Sequence, residues 1–287
     1  MQGKSPLTSA KSGEYTVNVL NIIREKFALN ATVIKIIAIV LMVADHIHQM
    51  FESVGAPLWL TWLGRPVFVL FLFAATESWR YTKNRKNYLL RLLCGSWAVT
   101  ILSRVLDTAL PNENIVLMNN AFTTFAVVAF YMLFCDMFAD GVKNKKAGKI
   151  IGASALFLVP IAVAVPFLLA VNVDFSSPVV KQIVFTLPLF IPNVFFIEGG
   201  VGMVFIGLSF YIFRKWRWAQ IVGLATFSVL AFVTSKGESA QWMMIFAAIP
   251  MALYNGEKGR GMKYFFYIFY PAHIYVLYIL ATLLWKI

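Results

Sequence analysis

Charge, cysteine and histidine are all scarce in this chain of 287 residues. Only 13% of residues are charged, two are cysteine and three are histidine. A soluble domain carries about 25% charged residues, so most of this chain cannot face water. Cys94 and Cys135 both fall in apolar runs, which excludes a disulfide framework. Glycine and proline stay at ordinary levels, against collagenous or low-complexity classes. No apolar core precedes Ala31, so no cleavable signal is expected. Against these deficits stand 60% hydrophobic residues, 26 Phe, 11 Tyr, 8 Trp and a mean hydropathy of +0.75. Disorder is excluded by that hydrophobicity. The apolar runs reach helical spanning length and do not alternate as barrel strands do. The expected class is all-α, a polytopic helical membrane protein.

Runs of apolar residues predict nine spans: 33–53, 57–79, 86–107, 115–138, 148–170, 183–213, 218–235, 239–254 and 262–285. The 183–213 stretch is too long for one straight helix and too short for two, since a span needs roughly 20 residues. It contains Pro188, Pro192, Gly199, Gly200 and Gly202, and reads as a broken or re-entrant element leading into one crossing.

The net charge of +12 would suggest nucleic acid in a soluble protein. Here it sits in short loops between apolar runs, and no nucleic acid partner is expected. Twenty of the 25 Lys and Arg cluster at 4–35, 80–91, 143–149, 214–217 and 258–263, all on one side of a nine-span chain. Lys181, Lys236 and Lys286 lie on the other side. The positive-inside rule then puts the N-terminus inside and the C-terminus outside. Residues 1–30 read as a cytoplasmic extension with an amphipathic helix over 15–28, and 31–287 as a single transmembrane domain. Asn30-Ala-Thr32 matches a glycosylation sequon, but on the inner side helix capping is the expected role. No internal repeat is visible.

Ionisable residues within spans default to functional hypotheses. Asp45, His46 and His48 lie in the first span, Arg65 in the second, Glu198 at the break, and His273 in the last. Arg104 and Asp107, spaced i,i+3, read as a local ion pair near the headgroups. His48 points away from His46 and is read as structural. Asn119 and Asn120 mark the outer part of the fourth span. At a rise of 1.5 Å per residue, His46, Arg65 and His273 fall at similar depth. Lys35 lies eleven positions before His46, which returns to nearly the same helix face about 16.5 Å away. A cation at the inner mouth suits the phosphates of an entering cofactor, and a neutral histidine deeper in suits general-base work. Lys35 equally suits a snorkelling anchor in the headgroups. No residues are assigned to a metal.

The run Ile34-Lys35 to Ala44-Asp45-His46, then Gly64-Arg65-Pro66, Thr82-Lys83-Asn84 and Tyr270-Pro271-Ala272-His273, resembles the TraX family across nearly the whole chain. That family is named for acetylation of the N-terminal amine of conjugative F-type pilin. It looks related to the integral-membrane acyltransferases of surface glycans, which have a basic residue, usually arginine, at the place of Lys35. The acidic-Gly pair expected after the second span reads Glu77-Ser78 here.

The resemblance implies an acyltransferase of the bacterial cytoplasmic (inner) membrane, with acetyl-CoA as donor and an extracytoplasmic peptide or glycan as acceptor. It implies catalysis by His46 as base, with Asp45 or a neighbour orienting it, Arg65, alone or with Asn119 or Asn120, stabilising the oxyanion, and His273 as a second acid or part of the acceptor site. Lys35, Arg80, Lys83 and Arg85 would hold the donor's phosphates, and Asn119, Asn120 and Glu198 would face the acceptor. A transporter, which also uses broken helices and midplane charges, competes with this reading, as does a non-catalytic assembly factor of a pilus system.

Overall fold

The computed structural model describes residues 26–117, 120–171 and 173–284. The expected amphipathic helix at 15–28 and the C-terminal end lie mostly outside these residues. Within them the chain is helical, with one isolated backbone bridge, between Leu29 and Tyr254. The helices are α1 (Ala31–Phe51), α2 (Trp59–Trp79), α3 (Arg85–Ala109), α4 (Ala121–Lys143), α5 (Ala147–Ala162), α6 (Val165–Ala170), α7 (Pro178–Thr186), α8 (Gly200–Ile212), α9 (Arg217–Thr234), α10 (Ala248–Leu253) and α11 (Lys263–Leu284). All-α architecture is therefore what the apolar runs form, as a multi-pass membrane protein. Among the described residues, seven helical stretches are long and apolar enough to cross a membrane. Three apolar helical stretches are shorter: Pro178–Leu189, Gly200–Ile212 and Ala240–Leu253.

Local chemistry sets the boundaries. Asn30 caps α1, its Oδ1 accepting from the backbone N–H of Thr32 and Val33, both at 3.0 Å. The sequon asparagine is thus occupied as a helix cap. Asn84 caps α3 in the same way through the N–H of Asn87. The fourth span begins at Ala121 rather than at 115. Ile115 instead packs, buried, into a cluster with Met50, Ile274 and Tyr278, which holds the preceding segment off the helix axis.

The expected break in 183–213 is present. α7 and a short 3₁₀ turn (Leu187–Leu189) end before an irregular stretch, and Gly199 and Gly200 both take positive φ, at 74° and 64°. Only glycine adopts that conformation without steric cost. Asn193 holds the irregular stretch: its amide donates to the carbonyls of Pro188 and Ile191 and its Oδ1 accepts from Phe195 and Phe196. These bonds satisfy the freed backbone that lipid would leave exposed.

Residues Ala240–Ala247 form a 3₁₀ helix that runs into α10. At about 2 Å per residue a 3₁₀ helix reaches further than an α-helix, so fourteen residues extend to about 25 Å. α1 and α2 pack most extensively against each other, and α2 and α4 are the most buried of the long helices. The main core joins Leu70, Leu72 and Phe73 of α2 to Val127, Val128 and Met132 of α4 and Ile206 and Phe210 of α8. That core fixes α2, and α2 presents Arg65 to α1.

Candidate functional site: a polar cavity inside the helix bundle

A cavity of about 1010 Å³ opens between α1, α2, α3, α11 and the break before α8. At one end it is lined by Lys35, Lys83, Arg91, Lys258 and Arg260, and in its depth by Asp45, His46, Arg65, Glu198 and Gln241. The walls between are aromatic, among them Phe68, Phe71, Phe125, Phe266 and Tyr267. Lys35 and His46 line the same cavity, as their eleven-residue spacing on one helix requires. The Lys35 ammonium lies 5.5 Å from the centre of the Phe266 ring.

The centre of the site is a pair of histidines. Nδ1 of His46 lies 2.7 Å from Nε2 of His273. The other nitrogen of His273, Nδ1, lies 2.8 Å from the carbonyl oxygen of Phe269, one turn back on α11. A carbonyl only accepts, so His273 Nδ1 carries the proton there. In a neutral pair His273 Nε2 then accepts from Nδ1–H of His46. The unprotonated, basic nitrogen of His46 is therefore Nε2, in a ring only 5% exposed. Phe269 stacks on the His273 ring at 5.1 Å between centroids and fixes its plane.

Asp45 does not orient that ring through a hydrogen bond to it. Its Oδ1 instead accepts from Thr61 at 2.9 Å and from Arg65 at 3.3 Å. Of the expected partners of the ring, Asp45 or a neighbour, it is His273 that lies within hydrogen-bond distance, because the Asp45 side chain faces α2. Arg65 donates from Nε to the Thr61 carbonyl, from Nη2 to the Thr61 hydroxyl, and from Nη1 to Gln241 at 3.4 Å. Four of its five N–H groups are engaged among the described residues, which leaves one on Nη1. Gly64 makes the arrangement fit: a Cβ there would lie 2.1 Å from Cγ of Asp45.

At the break, Glu198 accepts from the Tyr270 hydroxyl at 3.1 Å. Tyr270 in turn accepts from the Ala121 N–H at 2.8 Å, and Thr124 donates to the Glu198 carbonyl. The Tyr-Pro-Ala-His segment thus supplies two groups one turn apart, Tyr270 and His273.

Other expected residues lie elsewhere. Arg85 pairs with Asp136 at 2.6 Å and Arg80 with Glu77 at 4.0 Å, and neither lines the cavity. The Asn120 amide nitrogen donates to Ser96 and Thr100 of α3, whereas its backbone stays at the site as a hydrogen-bond partner of Glu198. Asn119 lies outside the described residues. His48 is buried but does not line the cavity. Arg104 and Asp107 do not form the expected ion pair among the described residues, and the Arg104 side chain is exposed. Glu77, 2% exposed, forms an ion pair at 3.6 Å with Arg217, whose guanidinium also lies 4.4 Å over Phe73.

Sequence reasoning missed Thr61, Gly64, Gln241 and Tyr270 as site groups. Helical spacing carried a signal for three. Thr61 precedes Arg65 by one turn, Gly64 follows Thr61 by three, and Tyr270 precedes His273 by three. Nothing local marked Gln241.

A buried base, a cation and a carboxylate gathered inside an all-α bundle define a polytopic membrane protein with an intramembrane polar site. The family model described as TraX protein matches residues 30–281. The chain belongs to the TraX family. No curated protein and no solved structure matches it.

Proposed function

We propose that this protein is an integral-membrane acyltransferase that carries an acetyl group from acetyl-CoA to an amine or hydroxyl on the far side of a bacterial cytoplasmic membrane. The observation that carries this reading is the cavity that joins cations at its mouth to His46 in its depth. Lys35 and Lys83 supply positive charge for the donor's phosphates, and the aromatic walls suit the slender, less polar arm that follows them. A thioester supplies an activated acyl group; the protein supplies position, a base and charge. His46 Nε2 takes the acceptor's proton as its amine or hydroxyl attacks the thioester carbonyl. The C–S bond then breaks, and CoA leaves as the thiol with that proton returned to its sulfur, while His273 holds the His46 tautomer. Arg65 is the cation for the negative charge that builds on the acyl oxygen. Asp45 and Thr61 hold its guanidinium in place. Glu198 and Tyr270 offer polar contacts to the acceptor. Peptide N-termini and glycan hydroxyls both meet this chemistry.

The test is incubation of purified protein with labelled acetyl-CoA and a membrane extract, followed by identification of the labelled product. Covalent label on a peptide or glycan, absent with His46→Gln, supports the reading. Label that enters vesicles without forming a covalent product would support a transporter.

A further inference from the structure

Resting on the acetyl-CoA reading, we infer that the glycine-rich loop 255–262 is a phosphate clasp, with Lys258 and Arg260 gripping the nucleotide end of the donor. The loop reads Asn255-Gly256-Glu257-Lys258-Gly259-Arg260-Gly261-Met262. Its charges satisfy the topology, but its structure does more than mark a side of the membrane.

The backbone of the loop is tied down onto the start of α1. Asn255 donates its N–H to the carbonyl of Leu29 at 2.9 Å, and Ala31 donates to the carbonyl of Glu257 at 2.9 Å. The Thr32 hydroxyl lies 3.2 Å from the Lys258 carbonyl and 2.7 Å from that of Arg260. Tyr81 donates to the Gly256 carbonyl from across the mouth. With their carbonyls fixed on α1, Lys258 and Arg260 both line the cavity. Gly259 permits this close approach. Its φ is +67°, and a Cβ there would lie 2.4 Å from Oδ1 of Asn30.

The charges gathered there do not cancel. Lys35, Lys83, Arg91, Lys258 and Arg260 line the mouth, while the only carboxylates lining the cavity, among the described residues, are Asp45 and Glu198 in its depth. The ion pairs among the described residues use Arg65, Arg80, Arg85, Lys149 and Arg217, none of them a mouth cation. Lys258 and Lys35 repel each other across the gap. Glu257 in the same loop is exposed, accepts from the Asn255 amide at 3.0 Å and does not line the cavity. It therefore offsets at most one of these five charges, and the remaining excess favours an anion carrying several charges. Phosphates fit, and the donor's nucleotide end carries them on a ribose 3′-position and in a diphosphate. A phosphatidylglycerol headgroup offers one phosphate, which leaves most of the cations unmatched.

Calorimetric titration of the full-length protein in neutral detergent tests the clasp without any turnover. The probes are CoA, adenosine 3′,5′-bisphosphate and pantetheine, which lacks phosphate. Lys258→Ala with Arg260→Ala should weaken CoA and the bisphosphate by roughly tenfold or more for each cation removed, and leave pantetheine unchanged. Gly259→Ala should weaken both phosphate probes although every cation remains. Lys149→Ala, a cation on another loop, should change nothing. Lys258→Arg should retain binding and report that the loop is folded. Wild-type affinity in the double variant would overturn the clasp. So would a double variant that loses phosphatidylglycerol but not the bisphosphate, since the loop would then hold lipid. Loop-dependent bisphosphate binding in a protein that acetylates no acceptor would uphold the clasp and refute the acyltransferase.

Discussion

At the scale of single residues, the polar groups of the site hold one another in defined states. The hydrogen bond from His273 to Phe269 fixes the tautomer of His273, and through it that of His46. His273→Ala should therefore lower turnover while leaving donor affinity near wild type, because it frees the base to rotate without touching the mouth. It should also cost stability, about 1–3 kcal/mol for a buried polar nitrogen left unsatisfied, read as a lower melting temperature. Unchanged turnover at a lowered melting temperature would reduce His273 to a packing residue. Lys35→Ala should weaken CoA binding by roughly tenfold or more, with a smaller effect for Lys35→Arg. Unaltered affinity in the alanine variant would return Lys35 to the role of headgroup anchor.

Asp45, His46, Arg65, Glu198 and His273 were legible in the sequence because an ionisable group inside an apolar run stands out on its own. Gly64 and Tyr270 stood inside the motifs and Thr61 one turn from Arg65, but none stood out as a site group, because such residues are ordinary in membrane helices and matter here only through partners. Arg80 and Arg85 looked like mouth residues from their place in a basic loop. Asp136, about fifty residues away, takes Arg85, together with the Trp79 indole and the Tyr211 hydroxyl. No local pattern shows such a partner.

At the scale of elements, α1 and α2 are spaced by a glycine. In an exposed helix, replacing glycine by alanine gains about 1 kcal/mol. At Gly64 the opposite sign is expected, since the new methyl group would collide with the Asp45 carboxylate. Gly64→Ala should lower the melting temperature by an overpacking cost of about 1–3 kcal/mol and reduce activity as Asp45 leaves Arg65. Adding Asp45→Ala should recover stability but not activity, so that the two substitutions are non-additive. A stabilised Gly64→Ala would mean that α1 and α2 leave room for a methyl group between them. Helix existence was legible from the apolar runs, and the break from its Pro and Gly. The 3₁₀ path of Ala240–Ala247 was not, since a 3₁₀ and an α-helix bury the same kinds of residue over so short a run.

At the scale of the whole molecule, the cavity has a direction only if the membrane gives it one. The proposed function needs the mouth, with Lys35 and the 255–262 loop, on the cytoplasmic side, as the positive-inside rule would have it. A periplasm-active reporter should then be silent when fused at Lys145 and active when fused after Ile287. The reverse pattern would put the donor on the wrong side. The most direct test of the central claim is turnover per folded molecule, measured with melting temperature in one detergent preparation, for wild type, His46→Gln and His48→Ala. The account predicts that His46→Gln loses about a hundred- to ten-thousandfold in rate and stays folded, while His48→Ala remains active. A His46→Gln variant that melts early but turns over normally, or a dead His48→Ala, would contradict it.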